Sequence, residues 1–395
     1  MKITCGIFAN IAPLYSKPLW DELAASTNVS YTFYSSGAGY SGIKTIDVNE
    51  SKCINPKASL DWHFLTNIIV KNRIIYQKGI ISKCLKTDYD AYILYGEMHC
   101  ISNWFAALIC KIRRKPSIIW GHGLYGNENY LKKRIRLLFY KLADVNFVYG
   151  NISRKLMIES GFNPNKVFTV YNSLNFNYHK KLFDERNESE LSEIKERLFK
   201  SRNNLPVILF IGRLTREKKI SYLLESISLC KLRGNDFNCL IVGEGEDSEQ
   251  LKNQAKLQGI SGSVYFYGSS YEENINAKLI MLSDCCVSPG NVGLTAIHSL
   301  SLGTPVITHS NLFNQGPEVE AIIQDKTGLF FKENDVTDLS FVIEGFILGK
   351  QKEVMSSNCI REINEHWNPF NQAAIIDKAI INLLQMKRND TKIVE

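Results

Sequence analysis

Few folds accommodate the stretch CCVSPGNVGLTAIHSLSLGTPVIT, Cys285 to Thr308. A short apolar run from Cys285 to Val287 stops at Pro289-Gly290. A loop, Gly290-Asn291-Val292-Gly293, follows. A helical pattern then runs from Leu294 to Leu302 and is stopped by Gly303, and Val306–Thr308 starts a new strand. The order is strand, glycine loop, helix, strand. Such a loop leaves unpaired N–H groups at a helix start, where the dipole is positive. That is a place for an anion, phosphate above all. Gly290 and Gly293 let an anion come close to the backbone.

The same alternation extends over the whole chain. In the first half, Lys2–Phe8, Val29–Tyr34, Tyr92–Tyr95, Ser117–Trp120, Asn146–Tyr149 and Val167–Tyr171 are short β-branched or aromatic runs with helix-length stretches between several of them. Residues 40–60 are polar and irregular and read as a long loop. In the second half the strands are Val207–Ile211, Asn238–Val242, Val264–Tyr267, Cys285–Val287, Val306–Thr308 and Gly328–Phe331. Residues 217–233 place Ile220, Leu223, Leu224 and Ile227 on one helical face. Alternating βα order predicts α/β architecture with parallel sheets covered on both faces. Ligands of such sheets bind at the carboxyl ends of the strands.

At 395 residues, two domains are expected. The segment HKKLFDERNESELSEIKERLFKSRNN is highly charged and poor in large apolar residues. It sets the division: an N-terminal domain over 1–178, a charged linker over 179–205 with one helix at about 186–200, and a second domain over 206–365. Residues 366–395 are predicted to carry a last amphipathic helix, 369–386, and a frayed tail, KRNDTKIVE. No apolar run approaches the roughly 20 residues of a membrane span. The N-terminus reads as a first strand and not as a signal peptide. The ten scattered cysteines show no CxxC spacing and read as buried thiols in a reducing cytosol. The formal charge of +7 allows attraction to anionic lipid or to a phosphorylated substrate. No nucleic-acid recognition motif accompanies it, so nucleic acid is not an expected partner.

Several short motifs fall at predicted strand ends. Gly212-Arg213-Leu214-Thr215-Arg216-Glu217-Lys218-Lys219 follows the first strand of the second domain. Arg213 and Lys218 straddle a helix start, where cations oppose the dipole. Either this is a solvated basic turn, or the two cations share a doubly charged anion with the loop at 290–294. Val242-Gly243-Glu244-Gly245-Glu246-Asp247 lacks the third glycine of a dinucleotide fingerprint and is crowded with carboxylates, so it reads as a structural turn. Trp120-Gly121-His122-Gly123 ends a first-domain strand, and Gly96-Glu97-Met98-His99 ends another. His122, Glu97 and His99 are candidates to line a ligand cleft. Residues 130–142 form a basic amphipathic helix, suited either to an anionic membrane surface or to covering the sheet with a solvated basic face.

Together these residues resemble a retaining GT-B glycosyltransferase of the "glycosyl transferases group 1" family. The likeness is best over 206–345, through GRLTREKK, LIVGEGED, VYFYG, SPGNVGLTAIHSLSLGTPVIT and DKTGLFF in that order. WGHG and Tyr171-Asn172-Ser173 extend it more loosely into the first domain. The resemblance implies two Rossmann-like domains facing a central cleft, with a nucleotide-sugar held mainly by the second. It assigns Gly212, Arg213 and Lys218 to the donor diphosphate, the amides near Gly293, Leu294 and Thr295 to the phosphate, and Gly268 and Ser269 to the base and ribose. His122 matches a histidine near the donor sugar. One departure stands out: the two glutamates usual in this loop and helix are replaced by Gly290 and His298. Asn291, Glu318 or Glu320 is then a substitute polar contact, and His298 is either a ribose hydrogen-bond donor or a buried helix histidine. Asp88-Tyr89-Asp90 has the DxD spacing of a different glycosyltransferase fold, but it precedes a strand and reads as a solvated loop.

The implied chemistry is transfer from a nucleotide-sugar, UDP-sugar favoured over GDP-sugar, with retention and without a metal. The implied acceptor is a saccharide, lipid-linked at the inner face of the membrane, in the synthesis of a surface polysaccharide, O-antigen or capsule precursor. Localisation is expected to be cytoplasmic or peripheral at the plasma membrane. Two rivals share the fold: a sugar-nucleotide epimerase using Glu97, His99 and His122, and a homologue without catalysis that serves as a binding subunit. A nicotinamide oxidoreductase is disfavoured because neither domain opens with an intact fingerprint.

Overall fold

In a computed structural model of the chain, residues 2–37, 45–46, 61–71 and 73–394 are described. Side chains are described to residue 389. The predicted loop at 40–60 lies outside the described residues except for Thr45 and Ile46. The chain forms two compact units, Met1–Asn175 together with Asn368–Glu395, and Phe176–Trp367.

Among the described residues the first unit contains eight strands: β1 (Ile3–Ile11), β2 (Val29–Ser36), β3 (Asp61–Val70), β4 (Ile74–Lys78), β5 (Ala91–Tyr95), β6 (Ser117–Gly121), β7 (Val145–Val148) and β8 (Val167–Thr169). They lie in the order β4-β3-β2-β1-β5-β6-β7-β8. All neighbours are parallel except β3 and β4, which pair antiparallel. The period of two in a strand sends Cys5 and Ile7 of β1 to one core and Phe8 to the other. One core packs the helix Lys17–Ala24 and the C-terminal helix against the sheet through Trp20, Leu23, Ile376 and Ile380. The opposite core is sealed by Cys84, Ala106, Cys110, Phe139, Tyr140 and Met157 from four helices. Strands β3 and β4 have no sequence-based counterpart because little of β3 is buried, so no apolar alternation marks it.

The second unit is built on β9 (Val207–Ile211), β10 (Asn238–Val242), β11 (Val264–Gly268), β12 (Cys285–Ser288), β13 (Val306–His309) and β14 (Gly328–Phe331). The order β11-β10-β9-β12-β13-β14 is parallel throughout. This is the doubly wound Rossmann order, whose ligand crevice opens where the winding reverses, here between β9 and β12. The α/β expectation of two parallel-sheet Rossmann-like domains holds.

Two boundaries differ from the sequence reading. The stretch 179–205 is not a connection with a single helix. It forms the helices Phe176–Asp184 and Glu188–Phe199 and a 3-10 turn, and Leu191, Leu198 and Phe199 join the second unit's core with Leu209 and Leu240. Its charges had hidden that apolar stripe. The tail is not frayed: the last helix runs from Pro369 to Val394 and belongs to the first unit. Asp377 on that helix accepts hydrogen bonds from Tyr31 Oη and Ser26 Oγ, both at 2.5 Å. Nine cysteines are free and buried, and Cys53 lies outside the described residues. No helix among the described residues is long and apolar enough to cross a membrane.

Candidate donor site at the strand ends of the second unit

The crevice between β9 and β12 is lined by the two segments that follow those strands, 212–219 and 289–295. Gly212 has φ +151° and donates its N–H to Val242 O at 3.0 Å. The GEGED turn clamps the loop from beneath. A Cβ on Gly243 would meet Gly212 O at 1.9 Å, and one on Gly245 would meet Leu214 O at 2.1 Å. These glycines therefore fit backbone against backbone and hold Arg213 in place, a supporting role that the motif alone does not disclose. Arg213 is exposed and has no ion-pair partner among the described residues. Lys219 turns away, donating to Asn334 Oδ1 at 2.7 Å and pairing with Glu333 at 3.4 Å. The helix itself begins only at Ile220, after a 3-10 turn Arg216–Lys218, so Lys218 precedes the helix start by one turn residue.

Lys218 reaches across to the second segment, donating from Nζ to Asn291 O at 2.5 Å. Burial lowers its ammonium pKa, the charge of Arg213 adds to that effect, and Glu217 and Glu318 oppose it. In return, Gly290 N donates to Lys218 O at 3.1 Å. The N–H groups of Gly293, Leu294 and Thr295 have no acceptor among the described residues. Gly293 has φ +54° and the helix begins at Thr295. Two cations without carboxylate partners and three free amides thus border one crevice, an arrangement that balances a diphosphate.

A Cβ at Gly290 would lie 2.1 Å from Glu217 O and 2.9 Å from Lys218 Cα. No glutamate fits at this position on this backbone. Glu318, in the 3-10 turn Pro317–Ala321, is 5% exposed, and its charge acts on Lys218. Its Oε2 is 2.7 Å from where a Cβ on Gly316 would stand, and that Cβ would lie 3.5 Å from Asn291 Oδ1. Gln315 ties the two segments, accepting from Val292 N at 2.8 Å and donating to Gly290 O at 3.3 Å. Glu320, on the same turn, is half-buried. Gly268 ends β11 and Ser269 follows it; Gly268 O accepts from Gly243 N at 2.8 Å, and Ser269 is exposed.

His298 is engaged in a cluster that no sequence motif announces. Its Nε2 lies 2.7 Å from Glu273 Oε1, and His179 Nε2 lies 3.1 Å from the same oxygen. The two imidazoles stack at 4.9 Å, and His179 Nδ1 is 3.0 Å from Ser301 Oγ. Three separate helices supply these groups, so spacing along the chain gives no sign of them.

In the first unit, Glu97 and His99 follow β5 and His122 follows β6, on neighbouring strands. The two glycines of WGHG are required by packing. A Cβ on Gly121 would meet Gly96 Cα at 2.8 Å, and one on Gly123, at φ +64°, would meet Ser153 Oγ at 2.1 Å. Tyr140 Oη accepts from Gly123 N at 2.9 Å, and Ser153 Oγ donates to His122 O at 2.7 Å. The His122 ring lies 5.0 Å from that of Tyr149 and 5.6 Å from that of Tyr125, and its Nδ1 is buried without a hydrogen-bond partner among the described residues. Glu97 is half-buried; His99 is exposed. Asp88 and Asp90 are structural: Asp88 pairs with Lys115 at 2.5 Å, and Asp90 accepts from Thr4 N and Oγ1, both at 2.8 Å.

Residues 192–362, all within the second unit, match the family model described as "Glycosyl transferases group 1". A glycosyltransferase of Haemophilus influenzae described as uncharacterized is 27% identical over 174 residues, 44% of this chain and 48% of that protein. The chain spans about half or less of the length of the first curated relatives it matches. Among solved structures, a glycosyltransferase from Rickettsia africae superposes with a TM-score of 0.68 at 19% identity, covering 97% of this chain and 99% of that one. An Anabaena protein solved in complex with UDP gives 0.67 at 16% identity, covering 99% and 100%. These likenesses show the GT-B fold.

Proposed function

We propose that this chain, a GT-B protein of the glycosyl transferases group 1 family, transfers a sugar with retention from a nucleotide-sugar to a saccharide acceptor. The carrying observation is the crevice where Arg213 and Lys218, both without carboxylate partners, face the free amides of Gly293, Leu294 and Thr295. As the glycosidic bond breaks, negative charge develops on the β-phosphate. Preorganised cations and amides lower that barrier most, because they need not reorient during the reaction. The leaving diphosphate takes part in accepting the acceptor's proton on the same face of the sugar. This route calls on neither a side-chain nucleophile nor a metal at the diphosphate.

In this reading Gly212 and the loop Gly290–Thr295 hold the diphosphate. Gly268 and Ser269 border the base and ribose, and Glu318, with Asn291 and Glu320 near it, meets the sugar hydroxyls in place of a carboxylate at 290. His122 contacts the donor sugar, and Glu97 and His99 lie on the acceptor side. UDP is favoured as the carrier, which the likeness to a UDP-bound Anabaena protein supports. The acceptor is carried on a lipid, as in precursors of surface polysaccharide, O-antigen or capsule. The exposed basic helix Tyr130–Tyr140 supports that part.

A thermal-shift screen of UDP-, GDP- and CDP-sugars tests the donor, since a ligand at 100 times its Kd adds about 2.7 kcal/mol. Product analysis with and without a saccharide acceptor follows. Transfer to the acceptor supports the reading. An epimerised donor formed without acceptor, or donor binding with no turnover, replaces it with the corresponding rival.

A further inference from the structure

The helix layer on one face of the first sheet is apolar on both of its sides. Right-handed connections from β5 to β8 place the helices Ile101–Ile112 and Tyr130–Tyr140 side by side on that face. Their contact is seen in the Trp104 and Phe139 rings, 4.8 Å apart. The helix Ile80–Lys86 shares the same core through Ile80 and Cys84. The inner stripe of Ile101–Ile112 is Asn103, Ala106, Ala107 and Cys110, all buried. A second stripe, Ile101, Phe105, Leu108 and Ile112, faces solvent at the same helical spacing. Helix Tyr130–Tyr140 repeats the pattern. Phe139 and Tyr140 are buried, while Leu131 and Leu138 are 68% and 62% exposed. A helix that only covers a sheet would bury one stripe and expose polar residues.

Charge narrows the choice of occupant. The three helices contain no Asp or Glu. They carry Lys83, Lys86, Lys111, Lys132, Lys133 and Arg134, besides Arg136, which is buried against Glu128. A second copy of this face would set like charges against each other. A nucleic acid would leave the apolar stripes uncovered. An anionic bilayer satisfies both features, with apolar side chains at the headgroup–acyl boundary and lysines among the headgroups.

We infer that this three-helix face, and not the helix at 130–140 alone, seats the protein on an anionic lipid bilayer. The inference deepens the membrane part of the proposed function and does not depend on sugar transfer.

The full-length protein is sedimented with phosphatidylglycerol–phosphatidylcholine vesicles and with pure phosphatidylcholine vesicles. It is expected to pellet with the first and far less with the second. Lys132→Gln/Lys133→Gln/Arg134→Gln is expected to weaken binding by on the order of 100-fold, at about fivefold for each cation removed. Phe105→Ser/Leu108→Ser, on the other helix, is expected to weaken it by roughly tenfold through lost apolar burial. A UDP-dependent thermal shift retained in both variants shows that each still folds, and vesicle binding without any such shift leaves the inference standing while removing the proposed donor. Wild-type protein left in the supernatant overturns the inference. So does a Phe105→Ser/Leu108→Ser variant that binds like wild type. Light scattering that shows a dimer converted to monomer by that variant overturns it in favour of a second copy.

Discussion

Lys218 and Asn291 are joined across the switch point of the second sheet by a 2.5 Å hydrogen bond from the lysine Nζ to the asparagine carbonyl. The bond sets the ammonium beside the free amides of the following helix start. An ammonium desolvated there, beside Arg213 and without an ion-pair partner among the described residues, suits the anion proposed for this site. Lys218→Ala is therefore expected to lower kcat/KM for sugar transfer by about 10²–10³-fold. Arg213→Ala should lower activity comparably yet shift stability by no more than about 0.5 kcal/mol, because Arg213 is exposed and has no ion-pair partner among the described residues. Steady-state kinetics beside urea melts check both. Wild-type rates in the Arg213 variant would remove this residue from the site.

Gly290 and Glu217 are in backbone contact, which leaves no room for a side chain at position 290. Gly290→Glu places a Cβ 2.1 Å from Glu217 O. The expected outcome is destabilisation by about 1–3 kcal/mol or more, with no gain in activity. Gly290→Ala, which lacks the carboxylate but has the same Cβ, should show nearly the same loss. A stable and more active Gly290→Glu variant would refute the role proposed for Glu318.

The contrast shows what a sequence of this kind discloses. Five strands of the second sheet are legible because a parallel strand buried on both faces is a nearly unbroken apolar run, as in Val207–Ile211, while the edge strand β11, largely unburied, is marked by its β-branched and aromatic residues. The antiparallel edge β3–β4 is not, since Asp61, His63, Thr66 and Asn67 interrupt the apolar run of β3, and its apolar residues such as Ile68 face solvent. The phosphate loop is legible for the same local reason: strand, glycines and helix adjoin in the chain. Glu318 stands out as a candidate because it follows the next strand. His179 and Glu273 do not, for they meet His298 only through packing of three helices distant in sequence.

His122 is held between two glycines that admit no side chain, so position and chemistry separate cleanly by mutation. Gly123→Ala meets Ser153 Oγ at 2.1 Å in a left-handed backbone conformation. It is expected to cost about 1–3 kcal/mol. His122→Ala removes a half-buried ring from beside Tyr149 and should cost less stability, while lowering kcat about 10²-fold or more if the ring meets the donor sugar. Urea midpoints for both variants, with single-turnover rates for the second, separate the two roles. An active His122→Ala enzyme would leave the residue with a packing role only.

The carboxylate shared by His179 and His298 makes stability depend on pH in a direction that can be worked out. Burial by itself raises the Glu273 carboxyl pKa, but the bonds from His179 and His298 outweigh it and bring it to about 2 from an ordinary 4.5. His179 is lowered from 6.5, by burial first, despite its bond to Glu273. For Glu273 the unfolded chain binds the proton more readily between pH 4.5 and 2. Its contribution is thus fully present above pH 4.5 and is lost as pH falls toward 2. For His179 the unfolded chain again protonates first, starting below pH 6.5, so stability declines on acidification there too. Urea unfolding midpoints from pH 7 to pH 3 should therefore fall on acidification in the wild type. Glu273→Gln should be less stable at pH 7, with a shallower slope below pH 4.5. Slopes that coincide in the two proteins would show that the His179–Glu273–His298 cluster carries no such linkage.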